Sequence, residues 1–515
     1  MRLCEISGAP GVTLLEALRL DHQHIDAPCG GRTRCVRCMV KVTEDAAHAL
    51  DTPAAFEAEL VGHKRLADGW RLACRATFLR PQPVAVLVPN ARLDIPDFPV
   101  RKRRALPAQP QPGLAAEVVV AIDIGTTTVV AVVADRETGD VIARVAEPNR
   151  QRAWGADVVA RIESTITEPP SLAAMRKAIH AQLDAMLSEL QRQTGLAELP
   201  VVHVCGNTTM LHLFEGANLR GLGSVPFSPV FLDARETAVG PRQLPARLVA
   251  GISAFVGADI LAGLYACGLD RPVSAPQLLV DIGTNGEMAL VTPDRIYVTA
   301  TAAGPAFEGE MISSGSPAVE GAIDHVWLGD DGTIHYSTIG NAEEHGAATG
   351  ICGSGLLDLL ACLRRKEIVD ECGGFADDDN KVFSFGGGLP SLNQADVRNL
   401  QLAKGAIAAG VDILCRKAGV RYEEIERLYL AGGFGSTLLP ESALDIGLLA
   451  SALAGKIEVA GNSALDGTIL LAAHPELAAS VAALRERITV VELAAEPGFQ
   501  DAFADAMLFP EFEVA

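Results

Sequence analysis

The chain has 515 residues, more than a single hydrophobic core usually serves, so two or three domains are expected. Its residues are 49% hydrophobic, 21% charged and 5% aromatic, which excludes a generally disordered chain and suits an alanine-rich α/β protein better than a β-sandwich. A formal net charge of -21 repels phosphate backbones and anionic lipid, so neither nucleic acid nor a membrane is expected as a partner.

The first residues, Met1-Arg2-Leu3-Cys4-Glu5, lack the charged-then-apolar layout of a signal peptide. No uncharged apolar stretch reaches the ~18 residues that span a bilayer. A cytoplasmic protein is therefore expected, whose eleven cysteines stay reduced and serve as ligands or small buried side chains.

Residues 1–88 alternate short apolar runs with turns and hold one helical stretch around Thr13 to Leu20, the pattern of a small α+β module. Prolines at 81, 83, 89, 96, 99, 107, 110 and 112 disfavour helix and central strand, so 89–115 reads as a linker, with Arg101-Lys102-Arg103-Arg104 as a solvated run within it. Extended at ~3.1 Å per residue, such a linker reaches on the order of 80 Å, enough to carry the first module between two stations.

From Glu117 the pattern changes. Val118 to Asp123, then Thr127 to Val133, then a turn at Asp135 to Asp140 and another apolar run predict three sequential antiparallel strands. The same grammar returns at Leu278 to Asp281, Glu287 to Val291 and Ile296 to Thr299, with an Asp-Arg pair in the turn of each copy. This repetition argues for two similar lobes, 116–275 and 276–515. Met175, Ile179, Leu183, Met186, Leu187 and Leu190 form one helical stripe, and Leu402 to Cys415 reads as a largely buried helix.

Two groups of residues carry chemistry. Cys29, Cys35, Cys38 and Cys74 place three thiols within ten residues and a fourth on a separate strand. A two-iron cluster needs four converging thiolates on a tight loop; Gly30 and Gly31 permit the turn, and the neighbouring arginines offset cluster charge. A structural zinc site also takes four thiolates, but its cysteines usually come as two close pairs. The spacing and flanking residues resemble two-iron ferredoxins of the plant and adrenodoxin type, in the variant with a five-residue gap, which implies a 2Fe–2S cluster. The other seven cysteines show no ligand spacing and are expected to be small buried residues.

The second group is Asp123-Ile124-Gly125-Thr126-Thr127-Thr128 and Asp281-Ile282-Gly283-Thr284-Asn285-Gly286-Glu287. A Gly-Thr turn between strands presents amides and hydroxyls to phosphate oxygens, and the preceding Asp can hold magnesium or its water. Leu428 to Gly435 is a strand running into a glycine turn, where an adenosine lies against bare backbone at Gly432 and Gly433. No Walker loop is present. The order phosphate, phosphate, adenosine resembles the superfamily of acetate and sugar kinases, heat-shock chaperones and actin. That resemblance implies two ribonuclease H-like α/β lobes around an ATP cleft, behind an N-terminal β-grasp ferredoxin-like domain.

A ferredoxin module followed by such a clamp resembles the reductive activators of corrinoid proteins. Matching stretches are Gly155 to Val158, Gly206 to Met210, Gly257 to Asp259, Gly304 to Gly309 and Cys352 to Gly355. The best-known members carry an extra middle domain between linker and clamp, and here only the proline-rich stretch remains, so its absence is expected. The resemblance implies a protein that returns cob(II)alamin of a corrinoid protein or cobalamin-dependent methyltransferase to cob(I)alamin with one electron. It also implies an upstream electron donor and leaves a homodimer open.

Plant-type clusters sit near about -400 mV, and the implied acceptor lies lower. Each ~59 mV is a factor of ten for one electron, so a gap of a few hundred millivolts costs on the order of 5 to 10 kcal/mol, which nucleotide-driven lobe closure is expected to offset. Asp123 and Asp281 are the candidates for Mg2+ and the attacking water. Gly125, Thr126, Thr127, Thr128, Gly283, Thr284 and Asn285 are the candidates for the phosphates of ATP. Glu287 or Glu308 is the candidate base, though solvation or capping explains either as well. Asp157 and Asp259 each follow Gly-Ala at a helix start, where capping explains them. The rival readings are a small-molecule kinase with a redox-regulatory cluster and a chaperone-like ATPase; a dehydratase activator, which usually holds its cluster between subunits, fits a dedicated ferredoxin module less well.

Overall fold

A computed structural model describes the chain except residues 22, 24, 26, 28–30, 32, 34–37, 44–47, 89–116, 341–347, 378, 380, 387–389, 436 and 512–515. The linker expected over 89–115 lies outside the described residues, as do Cys29 and Cys35. Among the described residues no helix is long and apolar enough to cross a membrane.

At the N-terminus β1 (Arg2–Ile6), β2 (Met39–Val42), β3 (Trp70–Leu72) and β4 (Val84–Val88) form one sheet in the order β1-β4-β2-β3, each neighbour antiparallel. Val84, Val86 and Val88 alternate inward along β4, as period-2 side chains must, and share a core with Leu14, Leu15 and Leu18 of the helix Leu14–Leu20. That helix begins at a capping box: the Glu16 amide donates to Thr13 Oγ1 at 3.2 Å, and the Thr13 amide donates to Glu16 at 2.8 Å.

Two larger sheets follow. The first contains β5 (Val118–Ile124), β6 (Thr128–Asp135), β7 (Val141–Pro148), β8 (Val202–Gly206), β9 (Arg235–Val239) and β10 (Leu244–Leu248), in the order β7-β6-β5-β8-β10-β9. Next come β11 (Gln277–Ile282), β12 (Gly286–Val291) and β13 (Ile296–Thr301), then the small sheet of β14 (Ala322–Leu328), β15 (Ile334–Thr338) and β16 (Gly350–Ile351). The pair β17 (Val382–Ser384) and β18 (Ser391–Asn393) precedes β19 (Arg427–Ala431), β20 (Ile457–Gly461) and β21 (Ile488–Val490). The second large sheet runs β20-β19-β11-β12-β13-β21.

In both large sheets the first three strands form an antiparallel meander. A parallel strand, β8 or β19, joins the other side of the leading strand, and a further parallel strand, β10 or β20, joins that. The shared order, third-second-first-fourth followed by one more parallel strand, is the ribonuclease H-like arrangement that the family resemblance implies.

The helix Pro170–Thr194 buries Met175, Ile179, Leu183, Met186, Leu187 and Leu190, the stripe expected from their spacing. The predicted helix over Leu402 to Cys415 is longer, Gln394–Ala418, because Asn393 and Asp396 form a capping box ahead of it. Leu402 itself is exposed.

The lobes meet through two helices, Ala258–Ala266 and Ser463–Ala473, which pack against each other. The second lies on the first sheet, where Leu465, Ile469 and Ala472 share a core with Val119, Ala121 and Val132. Their close approach requires glycine at two positions. A Cβ on Gly263 would lie 2.9 Å from Ser463 Oγ, and one on Gly467 would run into the carbonyl of Ala262. Gly467→Ala must therefore push backbone from backbone: a loss of about 1–3 kcal/mol is expected. A lowered midpoint in thermal or urea unfolding of the full chain, with weakened ATP binding, is the expected result.

Candidate functional site

Each meander places its first hairpin turn, Gly125 to Thr127 or Gly283 to Asn285, at the mouth of a cleft between the lobes, a cavity of about 810 Å3. All the residues proposed from sequence for phosphates, adenosine and metal within the clamp line it, as does Glu308. Gly125 is needed for the turn, since a Cβ there would sit 2.6 Å from the Thr128 carbonyl. The loop is braced from outside: Asn149 Nδ2 donates to the Gly125 carbonyl at 2.8 Å, its amide donates to the Thr127 carbonyl at 2.8 Å, and Asn207 Nδ2 donates to Thr126 Oγ1 at 3.0 Å.

The two turns touch. Thr127 and Thr284 have their hydroxyl oxygens 3.1 Å apart, and both donate to one carboxylate, Glu308, at 2.7 and 2.8 Å. At the other end of the second lobe's loop, Gly432 has φ +90° and packs directly on Asp281 and the Ile282 carbonyl, leaving no room for a side chain. Phe434 stacks on Phe307 with ring centres 5.0 Å apart, beside this glycine turn.

Four carboxyl groups crowd the floor. Enclosure by the lobes raises Asp123 to about 6, even though Asn462 Nδ2 donates to it at 2.9 Å and the Cys205 thiol lies 3.7 Å away. Burial and the nearby Asp123 raise Asp259 to about 7; burial with Asp259 and Asp123 raises Asp281 to about 8. Glu287 is pushed well above its ordinary range by burial and by Asp259 and Asp281. Such mutually repelling oxygen donors suit a hard divalent cation. Among the described residues no group of three or more His, Cys, Asp or Glu is arranged to hold a metal.

Sequence reasoning gave Asp157 and Asp259 the same reading, and the structure separates them. Asp157 caps the helix Val158–Thr167, accepting from the Ala160 amide at 2.7 Å. Asp259 lies in the first turn of the helix Ala258–Ala266 and lines the cleft. Arg152, Asn207, Glu310 and Asn462 also line it and were not singled out. No periodic signal marks them; Asn462 reaches Asp123 across 339 residues of chain.

In the N-terminal domain the strand register brings two cysteines to one end of the sheet. Met39 pairs with Leu72, so Cys38, just before β2, adjoins Cys74, just after β3, and the Ala73 amide donates to the Cys38 carbonyl at 2.9 Å. Both thiols are buried. Gly31 has φ +90° and faces them; a Cβ there would lie 3.7 Å from that of Cys74. These residues fit a cluster, with Cys29 and Cys35 outside the description. Of the remaining cysteines, Cys4, Cys205, Cys267, Cys352, Cys362 and Cys415 are buried as expected, but Cys372 is exposed. Arg19, on the helix Leu14–Leu20, lies over the Trp154 ring of the first lobe at 5.5 Å.

Comparison with known proteins assigns each part. Residues 2–78 match the 2Fe-2S iron-sulfur cluster binding domain, residues 118–272 the RACo middle region, and residues 275–515 the C-terminal domain of RACo, the ASKHA domain. The corrinoid activation enzyme RamQ of Eubacterium limosum is 32% identical over 422 residues, 76% of this chain and 70% of its own. The [Co(II) methylated amine-specific corrinoid protein] reductase of Methanosarcina barkeri is 28% identical over 67% of this chain and 68% of its own. A solved structure, a reductive activator for a corrinoid, iron-sulfur protein, superposes with a TM-score of 0.68 at 27% identity, covering 98% of this chain and 96% of that one. The RACo middle region thus falls on the lobe read from sequence as the first half of the clamp.

The strand that delivers Cys74 is fixed by a buried ion pair. Glu57 accepts from Arg71 Nε at 3.0 Å, from its Nη2 at 3.2 Å and from the Leu72 amide at 2.7 Å, and only 1% of Glu57 is exposed. Glu57→Ala leaves the Leu72 amide without its acceptor and the guanidinium held by Asp51 alone, at an expected cost of about 1–3 kcal/mol. Anaerobic reconstitution of this variant should give a visible iron-sulfur spectrum that bleaches faster than wild type, with ATP binding unchanged.

Proposed function

Because this chain belongs to the family of corrinoid activation enzymes, we propose that it is an ATP-hydrolysing reductive activator: it returns cob(II)alamin of a corrinoid protein or cobalamin-dependent methyltransferase to cob(I)alamin. The observation that carries this reading is the union, in one chain, of a cluster-binding domain with two phosphate turns meeting across a cleft at Glu308. Cys29, Cys35, Cys38 and Cys74 would hold a 2Fe–2S cluster, which would supply the single electron. An upstream donor restores it, and the cytoplasm, where thiols stay reduced, is the compartment that suits such a protein.

In the cleft, Thr126, Thr127, Thr284 and Asn285, with the amides of Gly125, Thr128 and Gly283, bind phosphate oxygens, and the adenosine lies along Gly432 and Gly433. Asp123 and Asp281 would hold Mg2+, which would draw charge from the phosphate oxygens, and they orient the water. When phosphate oxygens take over the Thr127 and Thr284 hydroxyls, Glu308 is released to act as base. Water attacks the terminal phosphorus, its proton passes to Glu308, the bond to the leaving oxygen breaks, and ADP and phosphate depart. Glu287, which burial and the neighbouring Asp259 and Asp281 make hold its proton more tightly than an ordinary carboxyl, limits the charge that the floor gathers. Contacts that grip both lobes favour the closed form, and only a nucleotide that binds it better shifts that balance.

Two variants separate the parts. Cys35→Ala should remove the visible iron-sulfur spectrum and cob(I)alamin formation while leaving ATP binding intact. Asp281→Asn should keep the spectrum and lower ATP turnover at least about tenfold. The product of turnover should be free phosphate; a phosphorylated metabolite would identify a kinase instead, and loss of spectrum and ATP binding together in Cys35→Ala would contradict the division into two modules.

A further inference from the structure

The described residues lining the cleft include a single Lys or Arg, Arg152, among seven Asp and Glu side chains. Arg152 belongs to the short helical turn Arg150–Trp154, which starts where Asn149 is tied to Gly125 and Thr127 of the first phosphate turn. A second arginine, Arg161, is fully buried behind it, donating to the Thr126 carbonyl at 2.5 Å and to the Gly155 carbonyl at 2.9 Å. Arg161 thus braces the loop, while Arg152 faces the cavity. The guanidinium of Arg152 is held by the carboxylate of Glu310, and both side chains are buried.

Glu310 and Glu308 belong to one segment. Glu308 engages the hydroxyls of both phosphate turns, and Glu310 engages the arginine. The segment therefore presents two carboxylates to the very groups that a polyphosphate would take. Gly432 packs on Asp281, so the adenosine end belongs to the second lobe, and a phosphate chain that runs from there past the Thr127–Thr284 junction enters the first lobe, which carries Arg152.

We propose that Arg152 is the residue that recognises the terminal phosphate of the nucleotide, and that Glu310 holds its guanidinium in place until the nucleotide arrives. The inference rests on the reading of the cleft as an ATP site. A guanidinium offers a planar fork that matches phosphate oxygens, and exchange of one anionic partner for another keeps its own buried charge paired. Glu310 is thus a positioning residue and a competitor of the phosphate.

The test uses the full chain with its cluster loaded, under anaerobic conditions with magnesium, and measures ATP, ADP and adenosine binding by calorimetry. Arg152→Ala should weaken ATP at least about tenfold and ADP less than about threefold, with adenosine unchanged, so that discrimination between ATP and ADP collapses; Arg152→Lys should restore part of it. Glu310→Gln removes the competing charge and should tighten ATP, whereas an ion pair that serves only the fold would weaken it. Equal losses for ATP and ADP in Arg152→Ala, or undiminished ATP binding, would overturn the proposal. Should Arg152→Ala fail to fold, Glu310→Gln decides: unchanged or weaker ATP binding overturns it. A wild-type protein that binds no ATP would instead sink the reading of the cleft itself.

Discussion

The close passage of two helices, Ala258–Ala266 and Ser463–Ala473, is the constraint on which the cleft depends. Gly263 and Gly467 remove the side chains that would hold them apart, and each helix begins at the site. Asp259 stands in the first turn of one, and Asn462 caps the other while donating to Asp123 of the opposite lobe. Because the second helix packs on the first lobe's sheet, neither half of the clamp is complete without the other. A change in the angle between the lobes must pass through this crossing, so the phosphate turns move as a pair.

The same geometry makes the cleft electrostatically costly. Asp123, Asp259 and Asp281 lie within reach of one another's charge and, with Glu287, all hold their protons more tightly than ordinary carboxyls. Stability spent on such a cluster is common where function needs it. In the proposed reading the cation that accompanies ATP answers the carboxylates, and the nucleotide's own phosphates answer Thr127, Thr284 and Arg152. The turn Arg150–Trp154 connects these parts physically: it starts at the phosphate loop, sends Arg152 into the cleft, and offers Trp154 to Arg19 of the cluster-binding domain.

Much of this was legible in the sequence because it is local. The two Asp-Ile-Gly-Thr turns follow apolar strands whose antiparallel partners come next in the chain, so the repeated meander and two similar lobes could be read directly, while their ribonuclease H-like fold came with the family resemblance. The helical stripe from Met175 to Leu190 was equally plain. What stayed hidden depends on contacts distant in sequence. Arg152 meets Glu310 across 158 residues, and neither stands in a pattern. Glu57 looks like any surface glutamate of a short helix until the fold brings Arg71 and the Leu72 amide to it. Asp157 and Asp259 have the same local sequence, and only the position of their helices tells a cap from a cleft residue.

The most direct test of the account is a single-turnover experiment without oxygen. The reduced protein is mixed with a cob(II)alamin-carrying corrinoid protein, and cob(I)alamin absorbance and phosphate release are followed together, with ATP and without it. The account predicts that cob(I)alamin rises in step with phosphate when ATP is present and stays at background when it is withheld. An equal yield of cob(I)alamin in both arms would contradict it.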